Sequence, residues 1–524
     1  MPEPAPSRTS VATALLAIVA LACAACSRPV RCVTDGPSPN VVLVTIDTLR
    51  ADHVSASGAG RAETPNLDRL AADGALFENA YADVSWTTAS VSSTMTGTYA
   101  TKHGIRNFND RLGADTVTIA EVLRAAGYRT GAVVGSYPVD SIYGLDQGFE
   151  FYDDAFTRSI ALAKADSFEK IEARWHDDPA AQARFNANKL HADSRRTDEE
   201  VTDAALTALE RVAGDDAPFF LWLHYFGPHS IPDPAASPAD NNRRHVETYA
   251  AKVAGADREV GRFMDALRER GLAASTLVVI HSDHGESLGE HKFVGHGRFL
   301  FEDNLRVPMI LHWPDRIAAG TRIAAMSANV DLFATIADAC GCLDVVQPTR
   351  GLASWLAGER PAGDIPTPTH ELDGHSLLRV IDGDARPRRA TYAETWMPTG
   401  KLFASRHRDA DGTMHVVPVA RFAMVRPPFK LVRTRPAQLV GPDGTAAVPD
   451  EVRERFVRDD LFDLAADPRE TWPQPPHVHV PVRARLARDL DPYFEPSRER
   501  LEGGAHEPLR DTDEEKLRAL GYVE

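Results

Sequence analysis

A chain of 524 residues, 43% hydrophobic and 25% charged, has an ordinary globular composition and the length for one large or two ordinary domains. Its formal charge of −17 excludes the basic surface that nucleic acid would attract. The same acidity repels anionic substrates on average, so an anion site has to be built locally from a metal ion, Arg, His or helix N-termini.

In chain order, Arg8 precedes the apolar run ATALLAIVALACAAC, from Ala12 to Cys26. That run is short for a bilayer span and suits a secretory signal, so residues 1–26 are read as one. Its small residues with Cys23 and Cys26 resemble a bacterial lipobox, with Cys26 preferred as the lipidated residue; plain cleavage is the alternative. Both readings export the protein to the cell envelope or periplasm, and the first attaches it to a membrane by an N-terminal lipid. Residues 27–38 form a turn-rich linker. Beyond the signal only Cys32, Cys340 and Cys342 remain. Three thiols cannot all pair, and Cys-Gly-Cys lacks zinc or thioredoxin spacing. One disulfide with Cys32 and a set of idle thiols both stay open.

Asn40 to Ile46 is an unbroken aliphatic and β-branched run, the mark of a strand covered on both faces. TPNLDRLAADG reads as a helix with Thr64 as cap and Pro65 in the first turn. TIAEVLRAAGY, from Thr118, is a second helix leading into strand RTGAVVG. A capping box, Thr197 to Glu200, opens another helix. Strand PFFLWLHYF, a long helix from Glu247 and strand TLVVIHS follow. Alternating strands and helices predict an α/β fold, a large mostly parallel sheet sandwiched by helices, over residues 39–385. From 386 to 495 short strands, turns and one helix predict a smaller C-terminal α+β subdomain, and 496–524 a charged tail. A helical insert at about 155–200 is expected to roof the site.

Ligands gather at the carboxyl ends of strands in such sheets. Two strands end in metal-ligand chemistry, one at Asp47 and the other at Asp283-His284, and two carboxylates with one imidazole suit a single divalent cation: Mn, Zn, Mg or Ca. Each acid alone could equally be a cap or turn residue. Of the histidines ending PFFLWLHYFGPHS, His224 reads as a satisfied core residue and His229 as a site residue. His296, between glycines, reads as a loop residue close to a ligand, with Arg298 beside it as either a support or a solvated loop residue. The hydroxyl-rich SWTTASVSSTMTG reads as a loop entering a helix, where free N–H groups would hold an anionic phosphoryl or sulfuryl group. A hydroxyl there could be a nucleophile, or Thr87 or Thr88 could merely cap the helix.

The blocks NVVLVTIDTLRADH, TPNLDRLAADGALFENAYA, TGTYATKHG, TLVVIHSDHGESLGEH and FEDNLRVPMILHWP, with LFDLAADPRE and the final LRALGYVE, resemble the sulfatase family of the alkaline phosphatase superfamily. The resemblance covers most of residues 39–524. Sulfatases carry Cys-x-Pro-x-Arg, sometimes with Ser first, whose first residue becomes formylglycine. Counting back from Thr96-Gly97 places Thr87-Thr88-Ala89-Ser90-Val91 there. The second acid of the family's Asp-Asp pair is Thr48, a Lys-Trp-His element is Ser136-Tyr137-Pro138, and an Asp-Asn pair is Asp283-His284. These departures resemble superfamily branches with a threonine nucleophile and one transition-metal ion. By that resemblance Asp47, Asp283, His284 and the Thr87 oxygen would ligate the ion. His229 and His296 would contact the transferred group or protonate the leaving oxygen, and Thr48 and Arg298 would support the substrate. The expected activity is metal-dependent hydrolysis of an anionic ester, a phosphate or phosphonate ester ahead of a sulfuric ester. A phospho-group transferase and a non-catalytic binder are the remaining alternatives.

Overall fold

The computed structural model describes Cys32, 37–106, 110–156, 195–214, 217–231, 233, 236–347, 365–368, 370–385, 387–396, 405–408, 414–417, 419–436, 454 and 457–503. The signal with Cys26, most of the linker, the core of the 155–200 insert and the tail beyond 503 lie outside the described residues.

Its largest sheet has nine strands. They are β1 (Asn40–Ile46), β2 (Ala75–Tyr81), β3 (Arg129–Val134), β4 (Phe151–Asp153), β5 (Phe219–Tyr225), β6 (Thr276–His281), β7 (Arg306–Val307), β8 (Met309–His312) and β9 (Thr321–Ala328). The order is β9-β2-β8-β6-β1-β5-β3-β4, with β7 paired to β2. β8 is antiparallel to β2 and β6, β7 is antiparallel to β2, and the other pairings are parallel. The sheet is thus mostly parallel, as its buried aliphatic strands predict.

Alternate residues of each strand enter two different cores. Val41, Leu43, Phe220, Trp222, Leu277 and Val279 face α2 (Thr87–Thr96), α3 (Ile119–Ala125) and α6 (Asp331–Ala339). Val42, Val44, Leu221, Leu223, Val278 and Ile280 face α1 (Pro65–Ala72), α4 (Asp198–Val212) and α5 (Pro238–Glu269). The capping box at Thr197 forms as expected, and Thr118 opens its helix with a second one. Thr64 does stand before α1, but its hydroxyl binds Asp68 and accepts the Ser55 N–H instead of capping. The long helix starts at Pro238 rather than Glu247, because Ser237 caps it through the Asp240 N–H. Cys32 and Cys342 form a disulfide and Cys340 is a buried free thiol, which settles the open pairing.

A second, antiparallel sheet follows, in the order β10 (Thr391–Trp396), β11 (Val419–Arg426), β12 (Phe429–Pro436) and β13 (Arg458–Asp463). One face packs on α7 (Val480–Gly503) through Phe422, Leu431, Leu486 and Leu490. The other packs through Ala423 and Val425 on Tyr81, Leu300 and Leu305 beside the large sheet. Among the described residues no helix is long and apolar enough to cross a membrane.

Candidate active site

Strand register brings the first groups together. Thr45 of β1 pairs with His281 of β6, so Asp47 and Asp283, each two residues further on, leave the sheet side by side. The Asp47 N–H continues the ladder to the Tyr225 carbonyl at 2.9 Å. Asp283 is braced from behind: its carbonyl accepts from Ser90 at 2.6 Å and from Asn329 at 3.0 Å. Gly285 is required there, since a Cβ would come within 2.1 Å of the Asp303 carbonyl.

Asp47, Asp283 and His284 are all fully buried, and one ligand atom of each lies within 4.8 Å of the others. Asp47 Oδ1 and Asp283 Oδ2 have no hydrogen-bond partner among the described residues. His284 Nδ1 lies 2.9 Å from the Gly285 carbonyl. A carbonyl can only accept, so Nδ1 carries the proton and Nε2 turns a lone pair toward Asp283 Oδ2 at 3.3 Å. Three facing acceptors repel one another unless a cation lies between them, and carbonyl-oriented imidazole is the usual support of a metal-ligating histidine. Burial, and then the Asp283 charge, push the Asp47 carboxyl well above its ordinary range. A divalent ion fits this donor set.

Thr87 opens α2, whose ten residues are all buried. The cap position is Trp86 and no side chain caps the helix, so the capping alternative fails for both threonines. Ser92, Ser93, Thr94 and Thr96 return their hydroxyls to carbonyls four residues back, Thr88 donates to the Pro138 carbonyl and Ser90 to Asp283. The Thr87 hydroxyl instead points into the acidic cluster, 3.2 Å from His284 Nε2 and 3.4 Å from Asp47 Oδ2.

His229 and His296 form the opposite wall. Their rings meet edge to face at 4.9 Å, and the His296 ring lies 4.4 Å from that of His284. His229 Nδ1 donates to the Ser230 carbonyl at 2.7 Å, and burial with the neighbouring His296 holds the His229 ring well below its ordinary pKa. His296 Nδ1 faces Glu286 at 3.2 Å.

Two other predicted groups are placed differently. Thr48 adopts a left-handed backbone (φ 57°), donates its N–H to Asp283 Oδ1 at 3.2 Å and offers its carbonyl to Tyr249. It therefore acts on the cluster through its backbone. Arg298 lies over the rings of Phe293 and Phe299, at 5.9 and 5.3 Å.

His224 corrects the sequence reading. It is fully buried but neither ring nitrogen is hydrogen bonded, and Nε2 is 3.5 Å from Asp47 Oδ2. It flanks the acidic cluster, with burial lowering its pKa to about 4. Sequence reasoning also missed Glu286, His245 and Lys252. Burial alone would raise the Glu286 carboxyl, yet His296 and His245 hold it well below its usual range, the latter with Nε2 at 3.5 Å. Lys252 donates to the His229 carbonyl at 3.0 Å, and burial lowers it to about 8. Glu286 is adjacent to the SDHG block, and His245 shares a helical stripe with buried Tyr249 and Val253; both were readable signals.

Comparison with known proteins agrees with this architecture. A model of the sulfatase family matches residues 39–342. An N-acetylglucosamine-6-O-sulfatase of Bacteroides thetaiotaomicron is 24% identical over 64% of this chain and 73% of its own. An arylsulfatase of Clostridium perfringens is 26% identical over 54% of this chain and 70% of its own. The solved phosphonate monoester hydrolase of Agrobacterium radiobacter superposes with a TM-score of 0.59 at 20% identity, over 87% of this chain and 95% of that one. The family model spans more than half of the chain and takes in the acidic cluster, Thr87 and both histidines of the opposite wall: the chain belongs to the sulfatase family and is one of its hydrolases.

Proposed function

We propose that this protein hydrolyses a phosphate or phosphonate ester, with Thr87 as nucleophile. One observation carries the reading: a threonine hydroxyl at a helix N-terminus reaches the buried Asp47–Asp283–His284 cluster, at the position where the family's formylglycine-forming residue is expected. Enzymes of this family work with a divalent metal, and Mn, Zn, Mg or Ca would be held here by Asp47, Asp283, His284 and the Thr87 oxygen. When bound, such an ion supplies positive charge that favours the deprotonated hydroxyl and offsets charge on the transferred group.

The chain's own groups then divide the work. Thr87 Oγ1, whose proton points to Asp47 Oδ2, attacks phosphorus while the bond to the leaving oxygen breaks in line. His229, kept neutral by its burial, contacts the transferred group, while His296 gives the leaving oxygen its proton. The same histidine accepts a proton from water, which attacks phosphorus and releases Thr87. A formylglycine hydrate can expel sulfate through its second hydroxyl; threonine has none, so its ester must be cleaved at the central atom. That favours phosphorus, and a phosphonate monoester hydrolase is among the structural neighbours. Sulfuric ester hydrolysis is the second reading, favoured by relatives named as sulfatases. The signal-like segment and Cys26 support export and lipid attachment to a bacterial membrane.

The test is turnover of aryl phosphate monoesters and diesters, a phosphonate ester and an aryl sulfate, with and without chelator. Phosphorus esters should be cleaved fastest, chelator should stop the reaction, and Thr87→Ala should lower kcat roughly a thousandfold or more. Full activity in the alanine variant removes Thr87 from the mechanism, and faster sulfate cleavage selects the second reading.

A further inference from the structure

His296 stands in a strap, Gly295 to Glu302, that has little local reason to hold its shape. The glycines on either side of it take φ values of 123° and 76°, conformations for which glycine has access but no preference. Toward the large sheet, the Gly297 N–H donates to the Ser85 carbonyl at 2.7 Å, two residues before Thr87. At its start Gly295 pairs with Ser287 and the His296 ring faces Glu286 at 3.2 Å; from Gly297 onward further hold comes from the second sheet and the turn after it. Thr395 Oγ1 donates to the Gly297 carbonyl at 2.6 Å, Arg421 to the Arg298 carbonyl at 2.7 Å and Lys430 Nζ to the Leu300 carbonyl at 2.8 Å. At the far end, Glu470 accepts the Glu302 N–H at 2.6 Å. All four side chains are buried, Lys430 completely.

We propose that the second sheet is part of the catalytic apparatus, with Thr395, Arg421, Lys430 and Glu470 as positioning residues that fix the strap and so the reach of His296. The inference rests on the reading of His296 as a group that meets the substrate. Adhesion between the sheets would not need these residues. Burying a lysine and an arginine is costly, and apolar side chains of similar volume would join the layers as well. Lys430 is held between Glu302 at 3.1 Å and Glu470 at 2.5 Å, and Tyr81 of the large sheet binds the other oxygen of Glu302. The strap is therefore gripped from both sheets at Glu302 and again at Gly297. Three donors, two of them charged, aimed at the carbonyls of Gly297, Arg298 and Leu300 specify one path for the backbone, which apolar packing cannot do.

Thr395→Val tests this with one hydroxyl removed, little change of volume and no buried charge left unpaired. Hydrogen exchange of the 294–302 segment should quicken about tenfold, with the melting temperature nearly unchanged. On an ester with a poor alcohol leaving group kcat should fall about tenfold at similar KM, and less on an aryl ester. In a His296→Ala background the same substitution should cost nothing more, since it acts through His296. Unchanged exchange in 294–302, or an equal loss in the His296→Ala background, overturns the proposal. Arg421→Met, at a different point of the strap, repeats the measurement if the valine variant does not fold. Exchange does not depend on turnover, so a wild-type protein that cleaves no ester would remove the proposed function while this readout still decides the positioning.

Discussion

On one side of the site the functional groups leave the ends of neighbouring strands; on the other they hang from a strap gripped by a second sheet. Asp47 and Asp283 are aligned by the register of β1 against β6, in the middle of the large sheet where both strands are covered. Moving either acid means breaking that ladder. His296 is placed by side-chain bonds from residues 98 to 130 positions away, reaching carbonyls of a glycine-flanked segment. The difference teaches that cation affinity should be robust and proton delivery tunable. Each half can be broken without the other.

The largest separation comes from Asp47→Asn, which should lower kcat/KM roughly a thousandfold. In the metal-free protein it should raise the melting temperature, because it removes one of two adjacent buried carboxylates. Divalent metal should then raise the melting temperature of the wild type but not of the variant. An undiminished metal-induced shift in the variant would break the division. A smaller effect is expected for His296→Gln, roughly a hundredfold in kcat with the metal-induced shift intact. Loss of that shift would mean the two sides are one unit.

The same division governs what the sequence revealed. The acidic cluster was legible because aliphatic runs announce buried strands, and ligands collect at their carboxyl ends; Asp47, Asp283 and His284 needed only that rule. His224 was not legible, because in a strand buried on both faces an imidazole directed at a carboxylate looks the same as one in the core. The start of α5 was missed because Ser237-Pro238 begins the helix within a polar stretch that carries no apolar period. Lys252 lay on that helix with nothing to mark which way it turned. The second sheet was foreseen as short strands, but its hold on the strap was not, since pairing a lysine with a carbonyl 130 positions away leaves no local pattern. The hydroxyl-rich α2 was half legible. Its composition marked a special helix, and only the geometry separates Thr87 from the neighbours that bond back to the helix.

The smallest effect on catalysis is expected where the two sheets meet, at Asp83. Its carbonyl accepts the Glu394 N–H of β10 at 2.9 Å, joining the segment before α2 to the second sheet. Its carboxyl is buried, and burial, with Glu394 and Asp331 nearby, pushes it up to about 7. Arg106 faces Glu394 and Arg388 binds Asp331, so the cations beside this cluster are directed at the other two acids. Because the folded pKa lies above the unfolded one, the folded protein holds the proton more tightly. The stability contributed is fully present below about pH 4 and is lost as the pH rises through about 7. Between pH 5 and 8 that amounts to about 3 kcal/mol. Asp83→Asn should remove this part of the slope, measured by urea unfolding at several pH values, and leave turnover within about twofold. An unchanged slope would place the proton elsewhere. A flattened slope with a single unfolding transition would make the junction, and with it the second sheet, part of one cooperative structure with the large sheet, within which the strap can still open locally.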